Sequence, residues 1–201
     1  MRPGLTDIIV LLDRSGSMQV AKSDTIGGFN NFIEEQAKLP GEARVTFVQF
    51  DSHDPHEVAY SRRLIAEVPQ LTDSTYQPRG STPLYDAMGK TIHAAGEVFA
   101  AMAEDDKPET VVMVILTDGQ ENCSHEWTRD GVFKLVQEQQ EKWGWKFVYL
   151  GANQDAMAVS AQIGVKFDAA AQNVSAYASS SHIGTRGFSD GSRVTAHYRT
   201  K

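Results

Sequence analysis

Two uninterrupted apolar runs, Asp7 to Leu12 (DIIVLL) and Val111 to Thr117 (VVMVILT), constrain the fold of this chain more than any other feature. A run of β-branched and aliphatic residues with no polar alternation has no face to present to water. Each must be a strand covered on both sides, as in the middle of a parallel sheet. Each run also stops at a polar, acid-bearing loop: DRSGS after the first and DGQEN after the second. Between and beyond them, helical and strand periodicities alternate. Ile26, Phe29, Phe32, Ile33 and Ala37 recur at helical spacing over Ala21 to Lys38, before Pro40 and Gly41 break the pattern. Arg44 to Phe50 reads as a second strand, and His56 to Leu64, charged and thinly apolar, as a short edge strand.

The stripe Leu84, Met88, Ile92, Ala95, Phe99 and Met102 predicts a helix over Leu84 to Met102, with Pro83 at its first position and Thr82 or Ser81 as cap. A third helix over Thr128 to Lys142, a strand over Lys146 to Leu150, a short helix around Ala156 to Ile163 and a last strand over Val165 to Phe167 complete the alternation. The implied architecture is α/β, a doubly wound, mostly parallel sheet with helices on both faces and right-handed crossovers. The expected division is one domain over residues 1–168 and an Ala/Ser/Gly-rich, mildly basic tail over 169–201. That tail is read as a loosely packed end rather than a partner-contacting arm.

At 201 residues the chain is long enough to bury a substantial core without staples. Its net charge of −7 leaves no global positive field to attract nucleic acid. The single cysteine, Cys123, cannot form an internal disulfide, and with only His125 as a nearby basic residue it is disfavoured as a reactive thiol. No stretch approaches the roughly 20 apolar residues that span a bilayer, and the N-terminal segment lacks the apolar core of a secretion signal. A cytoplasmic protein that binds neither nucleic acid nor membrane is the expectation.

The chemistry concentrates at the strand ends. Asp13, Ser15 and Ser17 occupy alternate positions in the loop after the first apolar strand, where open α/β sheets place their ligand sites. Asp118 follows the second apolar strand, and Thr82 stands at a helix start, so five hard oxygen donors can meet if the two strands are neighbours. Two carboxylates, hydroxyls and waters suit Mg²⁺, which takes six oxygen ligands, and a cation between Asp13 and Asp118 would relieve their repulsion.

This set, DRSGS, the Thr of GSTP and the Asp of TDG, resembles the metal-ion-dependent adhesion site of the von Willebrand factor type A family. The five matched positions are Asp13, Ser15, Ser17, Thr82 and Asp118, and the resemblance extends over about residues 7–168. It implies a sheet with one antiparallel edge strand, and a bound Mg²⁺, with Mn²⁺ or Ca²⁺ as alternatives. Ser15, Ser17 and often Thr82 would hold the ion directly, with Asp13 and Asp118 acting through waters. It further implies that the open coordination position takes an Asp or Glu from a partner protein. DRSGSM and TPLYDAM are more similar to the intracellular bacterial and phage branch, some members of which work with chaperone-like ATPases. The resemblance points to an interaction module and not to an enzyme.

Competing readings are a structural or assembly protein whose site holds no ion, and a Mg²⁺-dependent phosphatase of the haloacid-dehalogenase type. The phosphatase needs a second Asp two residues after the first as general acid, and position 15 is Ser. Asp86 is read as stabilising a helix start through the dipole, Glu121 and Asn122 as solvated loop residues, and HDPHE at 53–57 as a polar turn rather than a zinc site. Trp127, Trp143 and Trp145 are assigned to core and rim packing.

Overall fold

The computed structural model describes residues 1–152, 156–166, 168, 174–177 and 183–200. Its strands are β1 (Arg2–Asp13), β2 (Glu42–Phe50), β3 (Glu57–Leu64), β4 (Pro108–Thr117), β5 (Lys146–Ala152) and β6 (Val174–Tyr177). Its helices are α1 (Lys22–Ala37), α2 (Leu84–Ala100), α3 (Arg129–Lys142), α4 (Ala156–Gln162) and α5 (Ile183–Arg199). The strands form one sheet in the order β3-β2-β1-β4-β5-β6, parallel throughout except for the antiparallel edge strand β3.

The two apolar runs are central neighbours, with Leu12 opposite Leu116, and successive side chains go to opposite faces. Ile8, Val10 and Leu12 of β1 join Val112, Val114 and Leu116 of β4 beneath α1 and α5. Ile9 and Leu11 join Met113 and Ile115 beneath α2, α3 and α4. Helices therefore cover both faces, and each aliphatic side chain so buried contributes about 1.5–3 kcal/mol. Among the described residues no helix is long and apolar enough to cross a membrane.

The reading of a frayed end after residue 168 is corrected by this structure. β6 pairs in parallel with β5, and α5 lays Phe188, Val194 and Tyr198 into the core beneath the sheet. Phe188 meets Phe29 and Phe32 of α1 with ring centroids 5.8 Å apart, and Gln36 of α1 donates through Nε2 to the Ser192 carbonyl at 2.9 Å. Gly191 shows why the segment looked unpatterned. A Cβ there would fall 2.9 Å from Leu150 Cδ1, so the helix approaches the sheet through a residue that carries no apolar signal. The strand expected over Val165 to Phe167 is not found at Val165 and Lys166, and Phe167 lies outside the described residues.

The start of α2 also differs from expectation. Pro83 occupies the cap position, and neither Thr82 nor Ser81 caps the helix. The first free amides are met from another loop: Tyr85 N–H by Glu121 Oε2 at 2.9 Å and Ser124 Oγ at 3.1 Å, and Asp86 N–H by Ser124 Oγ at 3.1 Å.

Candidate metal centre

β1 ends at Asp13 and the chain turns through a 3-10 segment (Gly16–Ala21) into α1. The Asp13 carboxylate joins two strand ends. Its Oδ1 accepts the Ser15 N–H at 2.7 Å, and its Oδ2 accepts the Thr117 hydroxyl, from the last residue of β4, at 2.6 Å. The Ser15 and Ser17 hydroxyls lie 3.0 Å apart, and Ser17 Oγ donates to Asp118 Oδ1 at 2.7 Å. Thr82 is held by two bonds with Asn122: its N–H donates to Asn122 Oδ1 at 3.0 Å, and the Asn122 N–H donates to its carbonyl at 3.2 Å. A Cβ on Gly119 would fall 2.7 Å from Thr82 Oγ1, so that hydroxyl lies against the loop that carries Asp118. The fold thus brings Asp13, Ser15, Ser17 and Asp118 together at the carboxyl edge of the two central strands and sets Thr82 against the loop that carries Asp118.

Asp13, Ser15 and Thr82 are buried, Asp118 is half-buried and Ser17 is exposed. Burial pushes the Asp13 carboxyl up to about 7; the hydroxyl and amide donors of Thr117 and Ser15 oppose this, and the charge of Asp118 adds to it. Burial likewise raises Asp118, against the bond from Ser17. Among the described residues no lysine or arginine pairs with either carboxylate. The set is two acids and three hydroxyls on adjoining loops with no paired positive charge among the described residues, a donor chemistry that fits a hard divalent cation and does not fit zinc held by His or Cys. Among the described residues there is no group of three or more His, Cys, Asp or Glu side chains placed to hold a metal, so hydroxyls would have to complete any shell here.

Several supporting residues carried no signal in the sequence reading. Tyr76, fully buried, donates its hydroxyl to the Asp13 carbonyl at 2.7 Å. Asp51, directly after β2, lies among Arg14 (2.7 Å), Arg79 (2.9 Å) and the N–H groups of His53 and Asp54. Arg14 is the second residue of the DRSGS loop, and its Nη2 also donates to Glu57 Oε2 at 2.8 Å. The signal available for Asp51 was its position, since an Asp ends β1 and an Asp directly follows β2 and β4.

Two assignments change. Asp86 does more than favour a helix dipole: its carboxylate accepts the N–H groups of His125, Glu126 and Trp127 at 2.7–2.9 Å and fastens the loop after β4 to α2. Glu121 and Asn122 are not merely solvated, since one caps α2 and the other clamps Thr82. HDPHE forms a turn in which the Asp54 carboxylate accepts the His56 N–H at 3.0 Å. Burial, with the charges of Glu121, Asp86 and Asp13, raises the Cys123 thiol, which disfavours the thiolate.

The comparisons agree with this fold. The family model described as the von Willebrand factor type A domain matches residues 7–185. This chain belongs to the von Willebrand factor type A domain family. The match runs past 168, in keeping with a fold that takes in β6 and reaches α5. No curated protein sequence matches the chain significantly. Among solved structures, proximal thread matrix protein 1 from the mussel byssus aligns with a TM-score of 0.61 at 16% identity, over 96% of this chain and 46% of that one. A second structure of that protein, whose adhesion-site motif is occupied by zinc, aligns at 0.59 and 18% identity over 90% and 45%. A von Willebrand factor type A protein from Catenulispora acidiphila aligns at 0.59 and 11% identity over 95% and 42%. At these identities the likeness is one of fold, and this chain spans under half the length of each.

Proposed function

We propose that this von Willebrand factor type A domain holds one divalent cation, Mg²⁺ or Mn²⁺, at Asp13, Ser15, Ser17, Thr82 and Asp118, and uses it to bind an acidic side chain of a partner protein. The observation that carries the reading is the pair of carboxylates, one fully buried and one half-buried, that converge with hydroxyls and lack a basic partner among the described residues. A resident cation would supply the missing positive charge and Lewis acidity toward a carboxylate. The zinc-occupied motif of the mussel protein supports the choice of location. The oxygen-only donor set supports a harder ion here.

The protein's own contribution is positional. Thr117 and the Ser15 amide orient Asp13, Tyr76 fixes the strand end beneath it, and Asn122 and Asp86 hold the Thr82 and Asp118 loops in register. Calorimetric titration of metal-free protein with Mg²⁺, alone and with acetate supplying a carboxylate, tests the proposal. One binding site is expected, lost in both Asp13→Ala and Asp118→Ala while their circular dichroism stays native. Absence of binding by the wild type in both conditions would overturn it.

A further inference from the structure

Thr82 and Asp118 reach the metal centre on separate elements, the start of α2 and the loop after β4, so their spacing depends on what fastens that loop to that helix. Two of the fastenings are hydrogen bonds made by loop side chains that water also reaches, Asn122 to Thr82 and Glu121 with Ser124 to the first amides of α2. Bonds of this kind contribute only about 0.5–1.5 kcal/mol each. A third involves a buried acid, since Asp86 accepts the Trp127 N–H at 2.7 Å.

The fourth fastening is packing. Trp127 is half-buried against the core beneath α2, and its indole sits over Gly89. A Cβ on Gly89 would fall 2.1 Å from Cδ2 and 2.4 Å from both Cγ and Cε2 of that ring. Cγ is the ring atom next to the side-chain stem, so tilting the ring at its tip would not clear the overlap. Gly89 has no positive φ that would demand glycine, and a glycine inside a helix costs about 1 kcal/mol relative to alanine. The requirement it meets is room for the indole. Gly96 of the same helix, by contrast, has open space where its Cβ would lie.

Asp86 and Gly89 are three residues apart on α2 and share one side of it. One takes the backbone of Trp127 and the other its ring, so this residue is held twice. Residues 118–127 contain neither helix nor strand, and α3 starts directly afterwards, with Thr128 Oγ1 accepting the Gly131 N–H at 3.2 Å. Trp127 is therefore the point at which the loop that begins at Asp118 is pinned to α2.

We infer that Trp127, seated in the notch at Gly89, is a positioning residue for the metal centre: it pins the Asp118 loop against the helix that follows Thr82 and so sets the affinity for the cation. The inference rests on the metal assignment proposed above. Groups that orient metal ligands without touching the ion typically change affinity about 10–100-fold when they are altered.

The test is calorimetric titration of metal-free protein with Mg²⁺. Gly89→Ala should weaken binding about tenfold, because the ring must leave its seat and draw the Trp127 amide from Asp86. Trp127→Leu, which removes the indole without a clash, should weaken it less. The double variant Gly89→Ala/Trp127→Leu should then bind more tightly than Gly89→Ala alone, a non-additivity that general destabilisation does not produce. Phe188→Leu, on the other face of the sheet, reports what lost stability does by itself and should leave the affinity unchanged. Thermal unfolding of each variant confirms that it is folded at the titration temperature. Trp127→Leu or Gly89→Ala binding as tightly as the wild type, an equal weakening in Phe188→Leu, or a double variant no tighter than Gly89→Ala would overturn the inference and leave the metal assignment standing. Absence of Mg²⁺ binding by the wild type would overturn both.

Discussion

Asp13 and Asp51 end or follow adjacent parallel strands, and neither has solvent exposure. Their surroundings are opposite. Burial alone would raise Asp51, but Arg79, the amides of His53 and Asp54, and Arg14 outweigh it and hold the carboxyl below its ordinary range. Burial raises Asp13 to about 7, where two neutral donors oppose it and Asp118 adds a like charge. Among the described residues, one acid has a paired counter-charge and the other does not. A buried carboxylate balanced by arginines behaves as a structural tie. A buried carboxylate with no such partner among the described residues is the one that an external cation would balance.

That contrast can be broken most severely at Asp51. Asp51→Ala removes a partner from Arg14, which is itself buried, and should lower the unfolding free energy by about 3 kcal/mol, as measured by urea denaturation. A loss below about 1 kcal/mol would mean that Glu57 and solvent suffice for Arg14.

A smaller effect of opposite sign is expected at Asp13 in metal-free protein. Because its folded carboxyl titrates near 7 against an ordinary 3.8, the folded state holds the proton more tightly, and stability falls as pH rises between those values. Asp13→Asn should therefore raise the unfolding free energy at pH 8, on the order of 1–2 kcal/mol, with the gain shrinking toward pH 4. For Asp51 the folded value is depressed, so its contribution is present at neutral pH and lost only as pH falls below the ordinary range. Equal pH profiles for Asp13→Asn and Asp51→Asn would erase the distinction. The smallest effect is expected for Tyr76→Phe, which removes the bond to the Asp13 carbonyl and should cost about 1 kcal/mol in the same denaturation measurement.

The elements that were legible in the sequence are those whose burial is written in side chains. β1 and β4 are apolar on both faces, and α1 and α2 carry stripes. α5 was missed although Phe188, Val194 and Tyr198 fall on one helical face, because Gly191 and Ser192 interrupt that stripe where the helix meets the sheet and α1. Asp13, Ser15, Ser17 and Asp118 could be placed at one sheet edge because they end or follow the two apolar strands, whereas Thr82 was reached through its place before α2. Their supports were not legible, because Asp51–Arg79, Asp86 to the 125–127 amides and Tyr76 to Asp13 join residues distant in the chain.

The Thr117 to Asp13 bond spans 104 residues and connects strands that are neighbours in the sheet but not in the chain. The oxygen cluster around Asp13 is therefore absent from any early hairpin or helix and appears only when β4 has slotted beside β1. Such non-local contacts form late, after the loop entropy between them has been overcome. A cation binding there would leave the folding rate nearly unchanged and act on the reverse step, lengthening the lifetime of the finished domain.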